Sequence, residues 1–253
     1  SSFDVKGILG NNFDYLQNVL SDPKKKKYLQ DNTHLFISSK EKDIKTEADM
    51  VAHEYIYENL SNTGIPIISE EGDNEKYNLA DRQWIIDPID GTLNLSRGFG
   101  MSAVSISLWD GGVPILGVVH HLFSNEVFTS FHHRGAYKND HRISVSTIKQ
   151  KNEAILATGF PSGRDYSRDS LNDFIMNVQA YKKIRMLGSA ALMLAYVACG
   201  YFDVYHEADI YIWDVAAGLA LVSAAGGTYA IQTGSSIFKY NVKASNKFLI
   251  DKI

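Results

Sequence analysis

The stretch WIIDPIDGTLNL, residues 84–95, decides how the chain is read. Trp84, Ile85 and Ile86 are apolar and strand-like. Asp87 precedes a proline, which biases it to an extended backbone. Pro88 has no N–H to give to a ladder, so sheet pairing is expected to stop there. Gly91 permits a tight or left-handed turn, and Thr92 can open a helix or turn with free backbone N–H groups. A buried strand that ends in two acids and then turns sharply has two readings. Asp87 and Asp90 either cap a turn, or they place two carboxylates beside amides able to hold an anion. In the second reading the carboxylates, as hard oxygen ligands, suit Mg²⁺ or Mn²⁺ better than zinc. A metal beside a phosphate-accepting turn is the apparatus of phosphoryl chemistry.

Other motifs fail against the same residues. An EF-hand loop from Asp87 needs an oxygen side chain at its third position and Glu at its twelfth, where Ile89 and Gly98 stand. The aspartyl-nucleophile pattern D-x-D-G-T separates its acids by one residue; here Pro88 and Ile89 both intervene. GFGMSA (98–103) has the glycine spacing of a dinucleotide fingerprint, but it runs into the alternating VSISLW, a strand where a helix is required. Neither G-x-S-x-G nor a Walker A sequence occurs. A two-metal site needs further acids. Glu70 and Glu71 in IISEEGD stand just past a short apolar strand, and Asp214 in IWDVAAG follows an apolar segment and is expected to start a helix. Singly, Glu70 reads as a surface acid and Asp214 as an N-cap. Together with the opening motif they read as acids at strand ends aimed at one cleft.

The 253 residues are 45% hydrophobic, enough for a sizeable core in one large domain or two small ones. The net charge is −4 with mixed signs, which gives no basic field for a nucleic acid polymer. Cys199 is the one cysteine, so no internal disulfide forms, and a reducing compartment such as the cytoplasm is expected. No run approaches about 18 apolar residues, so no transmembrane helix is expected. The opening SSFDVKGILGNNFDYL lacks the basic-then-apolar layout of a signal peptide.

Periodicity gives the element order. Helices are expected at 3–20, at 46–60 with Thr46 as N-cap and Asp49 in a box-like position, over DSLNDFIMNVQAY, over SAALMLAYVACG with Gly200 as its stop, and from Asp214 to Gly226-Gly227. An antiparallel meander follows the opening motif, turning at Asp110-Gly111-Gly112 and Ser124-Asn125. Strands are expected at GIPII, AILATGF, KIRMLG, YFDVYHE, TYAIQ and FLI. This is a mixed α/β (α+β) order without repeats.

Four blocks carry a likeness: DIKTEAD (43–49), IISEEG (67–72), WIIDPIDGTLN (84–94) and WDVAAGLALVSAAGG (213–227). GVV within the meander, RGAYKND, LGSAALMLAYVACGYFDVYHE and the terminal ASN support it. From about residue 40 to its end the chain resembles the inositol monophosphatase family of Mg²⁺-dependent, Li⁺-sensitive phosphatases. The resemblance implies a layered α-β-α-β-α sandwich of the sugar phosphatase type, often a homodimer. It fits a single domain over 1–253, with an α+β half to about 150 and an α/β half from about 151. Two or three Mg²⁺ ions are implied. Glu70, Asp87 and the carbonyl of Ile89 would hold the first, and Asp87, Asp90 and Asp214 the second. Glu70, and Thr92 backed by Asp49, would orient and deprotonate the attacking water. The amides of Gly91 and Thr92 would grip the phosphate. Gly188, Ser189, Ala190, Glu207 and Asp214 would face the substrate.

The implied activity is hydrolysis of a small polyol or sugar phosphate, inositol monophosphate first among them. DPIDGTLNL is closer to the inositol phosphate type than to DPLDGTKEF of nucleotide bisphosphatases or DPIDGSSN of fructose-bisphosphatases. A 3′-phosphonucleotide phosphatase, a histidinol-phosphate phosphatase and a catalytically idle anion-binding relative are the alternatives. Arg164 and Arg168 in GFPSGRDYSRDS could meet a second phosphate or simply face solvent. Lys24 to Lys27 read as a solvated charge run. The pairs His120-His121 and His132-His133 read as structural, since neighbouring strand residues point to opposite faces. His206 could line the pocket edge, and Cys199 reads as a small core residue.

Overall fold

Strand β4 (Gln83–Asp90) is the spine of the molecule, buried at every position. The computed structural model describes residues 36–40, 43–74, 77–124, 126–160 and 165–250; the expected helix at 3–20, the lysines 24–27, Asn125 and Arg164 lie outside them. A short antiparallel pair, β1 (Phe36–Lys40) and β2 (Asp43–Thr46), leads into helix α1 (Glu47–Ser61). Strand β3 (Ile67–Ser69) pairs parallel with β4. After α2 (Thr92–Ser96), the chain meanders through β5 (Ala103–Asp110), β6 (Val113–His121), β7 (Val127–Phe131), β8 (Gly135–Lys138) and β9 (His141–Ile143). These seven strands form one sheet in chain order.

A second sheet follows. Strand β10 (Ile155–Ala157), α3 (Arg168–Gln179), β11 (Lys183–Arg185), α4 (Ala190–Ala198), β12 (Val204–Tyr211), α5 (Ile212–Ala224), β13 (Gly227–Thr233) and β14 (Lys239–Asn246) build it in the order β11-β10-β12-β14-β13. Strand alternation sorts the cores. Trp84 and Ile86 face Ile56 and Leu60 of α1, while Ile85 faces the apolar helices α4 and α5. On the second sheet Tyr205 and Ala157 face those same helices. Leu156 and Val204 turn outward, toward Leu249 and Val178 of α3. The layers therefore run α1, first sheet, α4 with α5, second sheet, α3, which is the expected α-β-α-β-α sandwich.

Two glycines allow the middle layer to close. A Cβ on Gly117 of β6 would lie 2.5 Å from the carbonyl oxygen of Ala217 on α5, and one on Gly218 would run into Leu194 of α4.

Several expectations need correction. Pairing does not stop at Pro88: β4 runs on to Asp90. Helix α5 begins at Ile212 with Tyr211 at its N-cap, so Asp214 lies inside the first turn and does not start the helix. Helix α1 opens at Glu47 rather than at 46, which leaves Thr46 at the expected N-cap position. FLI is no strand; it lies past β14, and Leu249 is apolar because it plugs the small outer core. Strand β14 was not expected, although Tyr240, Val242 and Ala244 alternate inward. His132 and His133 lie in a turn beyond β7 with ring centroids 3.7 Å apart, so they do not point to opposite faces. The turn Gly111-Gly112 is as expected, both residues having positive φ (61° and 74°). Gly200 follows α4 at φ 72°, and burial pushes the thiol of the helix-capping Cys199 up to about 11.

Candidate active site

The acids of β4 are presented by a bulge. Asp87 pairs with Ser105 and Asp90 with Ala103, so three steps on β4 face two on β5. Pro88 sits in that bulge, a place a residue without an N–H can occupy inside a sheet. The extra residue re-aims the chain, and the N–H of Ile89 donates to Asp87 Oδ1 at 2.9 Å. Gly91 then takes φ 85°, and a Cβ there would lie 2.7 Å from the carbonyl oxygen of Met101. Thr92 opens α2. Its hydroxyl lies 2.8 Å from Asp49 Oδ1, on the buried side of α1, and 3.0 Å from the carbonyl oxygen of Ile89.

Glu70 after β3, Asp87 on β4 and Asp214 on α5 converge, with carboxylate oxygens all within 4.8 Å of one another. Burial first, then the charges of Glu70, Asp90 and Asp214, hold the Asp87 carboxyl well above the usual carboxylate range. Burial, then Asp90, Glu70 and Glu207, do the same to Asp214. The charges acting most strongly on both groups are therefore acids. Buried like charges are costly unless something neutralises them. An all-oxygen, anionic donor set of this kind fits a hard divalent cation such as Mg²⁺.

Asp90 stands beside this trio. Its Oδ2 accepts from the hydroxyl of Ser189 at 2.6 Å and from the N–H of Ala191 at 2.7 Å. Burial pushes its carboxyl up to about 6, against the pull of Ser189 and the amides of Ala191 and Ala190. Ser189 Oγ also accepts from Leu192 N and so caps α4. Asn94 escaped the sequence reading. Its Nδ2 lies 2.8 Å from Met101 O, 2.7 Å from Leu187 O and 3.2 Å from Gly188 O, tying α2 to the loop before α4. Glu207 is buried on β12, where the hydroxyl of Tyr205 donates to its Oε2 at 2.8 Å. A cavity of about 580 Å³ opens beside it, with Thr158, His206, Asp165, Asp169, Asp173 and Phe174 in its wall. Arg168 is exposed at the start of α3, and Glu71 is not part of the carboxylate trio.

Two sheets interleaved with three helical layers, with carboxylates converging from the first sheet and from α5 around the buried Asp87, define the layered sugar-phosphatase class. The sequence pattern described as the inositol monophosphatase family matches residues 13–252. The chain is 40% identical to the Nus factor SuhB of Xylella fastidiosa over 188 residues, 73% of this chain and 68% of that protein. It is 37% identical over 217 residues to a fructose-1,6-bisphosphatase/inositol-1-monophosphatase of Thermotoga maritima, covering 84% and 81% of the two. A solved IMPase structure from Thermotoga maritima superposes with a TM-score of 0.73 at 33% identity, over 93% of each chain. The chain belongs to the inositol monophosphatase family and is a phosphomonoesterase.

Proposed function

We propose that the protein hydrolyses the phosphate monoester of a small polyol or sugar, inositol monophosphate foremost, with Mg²⁺ at the carboxylate trio. The convergence of Glu70, Asp87 and Asp214 carries this reading. Glu70, Asp87 and the carbonyl of Ile89 would hold one ion. Asp87, Asp214 and Asp90, whose Oδ2 is engaged by Ser189 and Ala191, would hold a second; a third is compatible with the acidic surroundings. When bound, Mg²⁺ supplies Lewis-acid polarisation of the phosphoryl group and a water that is easier to deprotonate.

The chain's own residues do the rest. Donating to Asp49, the Thr92 hydroxyl turns a lone pair toward the attacking water and orients it. Glu70 takes the proton. The amides of Gly91 and Thr92 hold the phosphate, so catalysis is largely positioning and charge stabilisation. Gly188, Ser189, Ala190 and Glu207 face the leaving alcohol. The two activities in the Thermotoga relative's name support a sugar or polyol substrate. The same reading carries a single domain over 1–253, a homodimer and a cytoplasmic location; no described helix is long and apolar enough to cross a membrane.

Phosphate release over a panel of monoesters, with and without Mg²⁺, tests the proposal. Polyol monophosphates should lead; preference for adenosine 3′,5′-bisphosphate would move the assignment to nucleotides, and no release from any substrate would remove it. Asp90→Asn keeps one oxygen for Ser189 and Ala191 yet loses the charge. Turnover should fall by several kcal/mol of transition-state stabilisation, on the order of 10²–10³-fold. An active Asp90→Asn variant with an unchanged Mg²⁺ requirement would contradict the second ion's site. Sub-molar Li⁺ should inhibit.

A further inference from the structure

The trio is assembled from parts that are not equally bound together. Glu70 and Asp87 share one sheet: Ile68 and Ser69 pair with Ile85 and Ile86, and the N–H of Glu70 reaches Ile86 O at 3.3 Å. Asp214 rides on α5, outside that sheet. The start of α5 is held from both sides: the N–H of Ile212 donates to Phe238 O at 2.9 Å in the second sheet, and Ser105 Oγ on β5 donates to Trp213 O at 3.3 Å. Phe238 packs its ring on Trp213, with centroids 5.5 Å apart, and Trp213 stacks on Tyr211 at 4.7 Å. The acids repel one another, which loads the contacts that hold the Glu70 segment against the start of α5.

Tyr77, on the segment between Glu70 and β4, adds a contact from that segment to the residues around the start of α5. Its ring lies 5.1 Å from that of Phe238, and its hydroxyl is 3.2 Å from the hydroxyl of Tyr240. The root of the same segment is pinned by Asn74, whose Nδ2 donates to Ser69 O at 2.6 Å and whose Oδ1 accepts from Ser69 N at 3.2 Å. Burial, and then Tyr240, push the Tyr77 hydroxyl above the ordinary phenol range, which keeps it un-ionised and able to pair. We propose that Tyr77 is a positioning residue for the metal site: docked on Phe238 and Tyr240, it clamps the Glu70 segment to the start of the Asp214 helix and holds the carboxylates at cation-binding separation. The proposal rests on the reading of the trio as a Mg²⁺ site.

The test uses the full chain and two readouts of Mg²⁺ affinity: the rise in unfolding temperature with added Mg²⁺ in the absence of substrate, and phosphate release against Mg²⁺ concentration. Tyr77→Leu should raise the half-saturating Mg²⁺ concentration on the order of tenfold in both, as loss of an outer support of a metal site does. Its kcat at saturating Mg²⁺ should stay within about twofold of wild type. Tyr77→Phe keeps the ring on Phe238 and should fall between the two. A Tyr77→Leu protein that merely melts earlier, with a wild-type Mg²⁺ midpoint, overturns the proposal, as does an equal loss of kcat at every Mg²⁺ concentration. Should Tyr77→Leu fail to fold, Tyr77→Phe and Tyr240→Phe decide. Each removes the hydroxyl pair, so both should raise the midpoint by the same factor and the double variant by no more. Unshifted midpoints in both overturn the clamp. A wild-type protein whose unfolding temperature ignores Mg²⁺ overturns the metal reading and the clamp together, whereas a responsive wild type with unshifted variants overturns the clamp alone.

Discussion

At the scale of single residues, the acids of the site announce themselves and their supports do not. Glu70, Asp87 and Asp214 each follow an apolar run, and a carboxylate there contradicts its surroundings unless it has a task. Asn94 is an ordinary polar residue in the short helix α2, and its partner Leu187 lies 93 positions away. Tyr77 and Tyr240 are separated by 163. Such contacts are set by how two sheets meet, which no local spacing encodes. Asn94→Ala should show what one of these supports does. It strips a donor from Met101 O, Leu187 O and Gly188 O, and unmade hydrogen bonds of this kind cost about 1–3 kcal/mol. Gly188 and Ser189 then lose their fixed position, so thermal unfolding should come earlier and KM for the substrate should rise. Unchanged KM would mean the loop before α4 is held by other contacts.

Among elements, the order was largely legible: α1, α3, α4, the turn at Gly111-Gly112 and strands β3 to β7 follow directly from periodicity and turn residues. What was not legible is where a strand breaks its own rule. Proline in β4 signals an end, but a bulge absorbs it and the strand goes on, carrying Asp90 into the site. Strand β12 has a second irregularity between Glu207 and Ile210, with Asp209 at φ 57°, so both sheets bend where they meet candidate site residues. Local sequence cannot reveal a bulge, because it is defined by the partner strand. The helix–sheet spacing is equally tertiary. Gly117 reads as a weak point in a strand, yet it is where α5 comes closest to the first sheet. Gly117→Ala should push against the backbone of Ala217, which cannot rotate away. Overpacking should cost about 1–3 kcal/mol, or about 2–4 °C in Tm per kcal/mol for a chain near this size. A differential scanning measurement showing no loss would mean that α5 shifts freely on the sheet.

For the molecule as a whole, the carboxylate trio sets function against stability. Two layers converge on a point where like charges are held together around the buried Asp87, an arrangement that opposes folding until a cation joins it. Asp87 shows this most plainly. Burial and its acidic neighbours hold its folded-state carboxyl well above the range of an unfolded chain. Below about pH 4, the unfolded carboxylate range, both states are protonated and the group costs nothing. As pH rises past that value the unfolded chain ionises while the folded one resists, so the metal-free protein loses stability with rising pH through this group. Each unit of separation between the two states is worth about 1.4 kcal/mol. Asp87→Asn removes the penalty and retains an oxygen for the N–H of Ile89. In chelator, the variant should therefore melt above wild type at pH 8, by about 2–4 °C for each kcal/mol recovered. That advantage should shrink toward pH 4. Saturating Mg²⁺ should reverse the order, because only wild type gains the full binding energy of the ion. Parallel melting curves at pH 4 and pH 8, with and without Mg²⁺, check all three statements; a variant less stable than wild type in chelator at pH 8 would show that repulsion is not what the site costs.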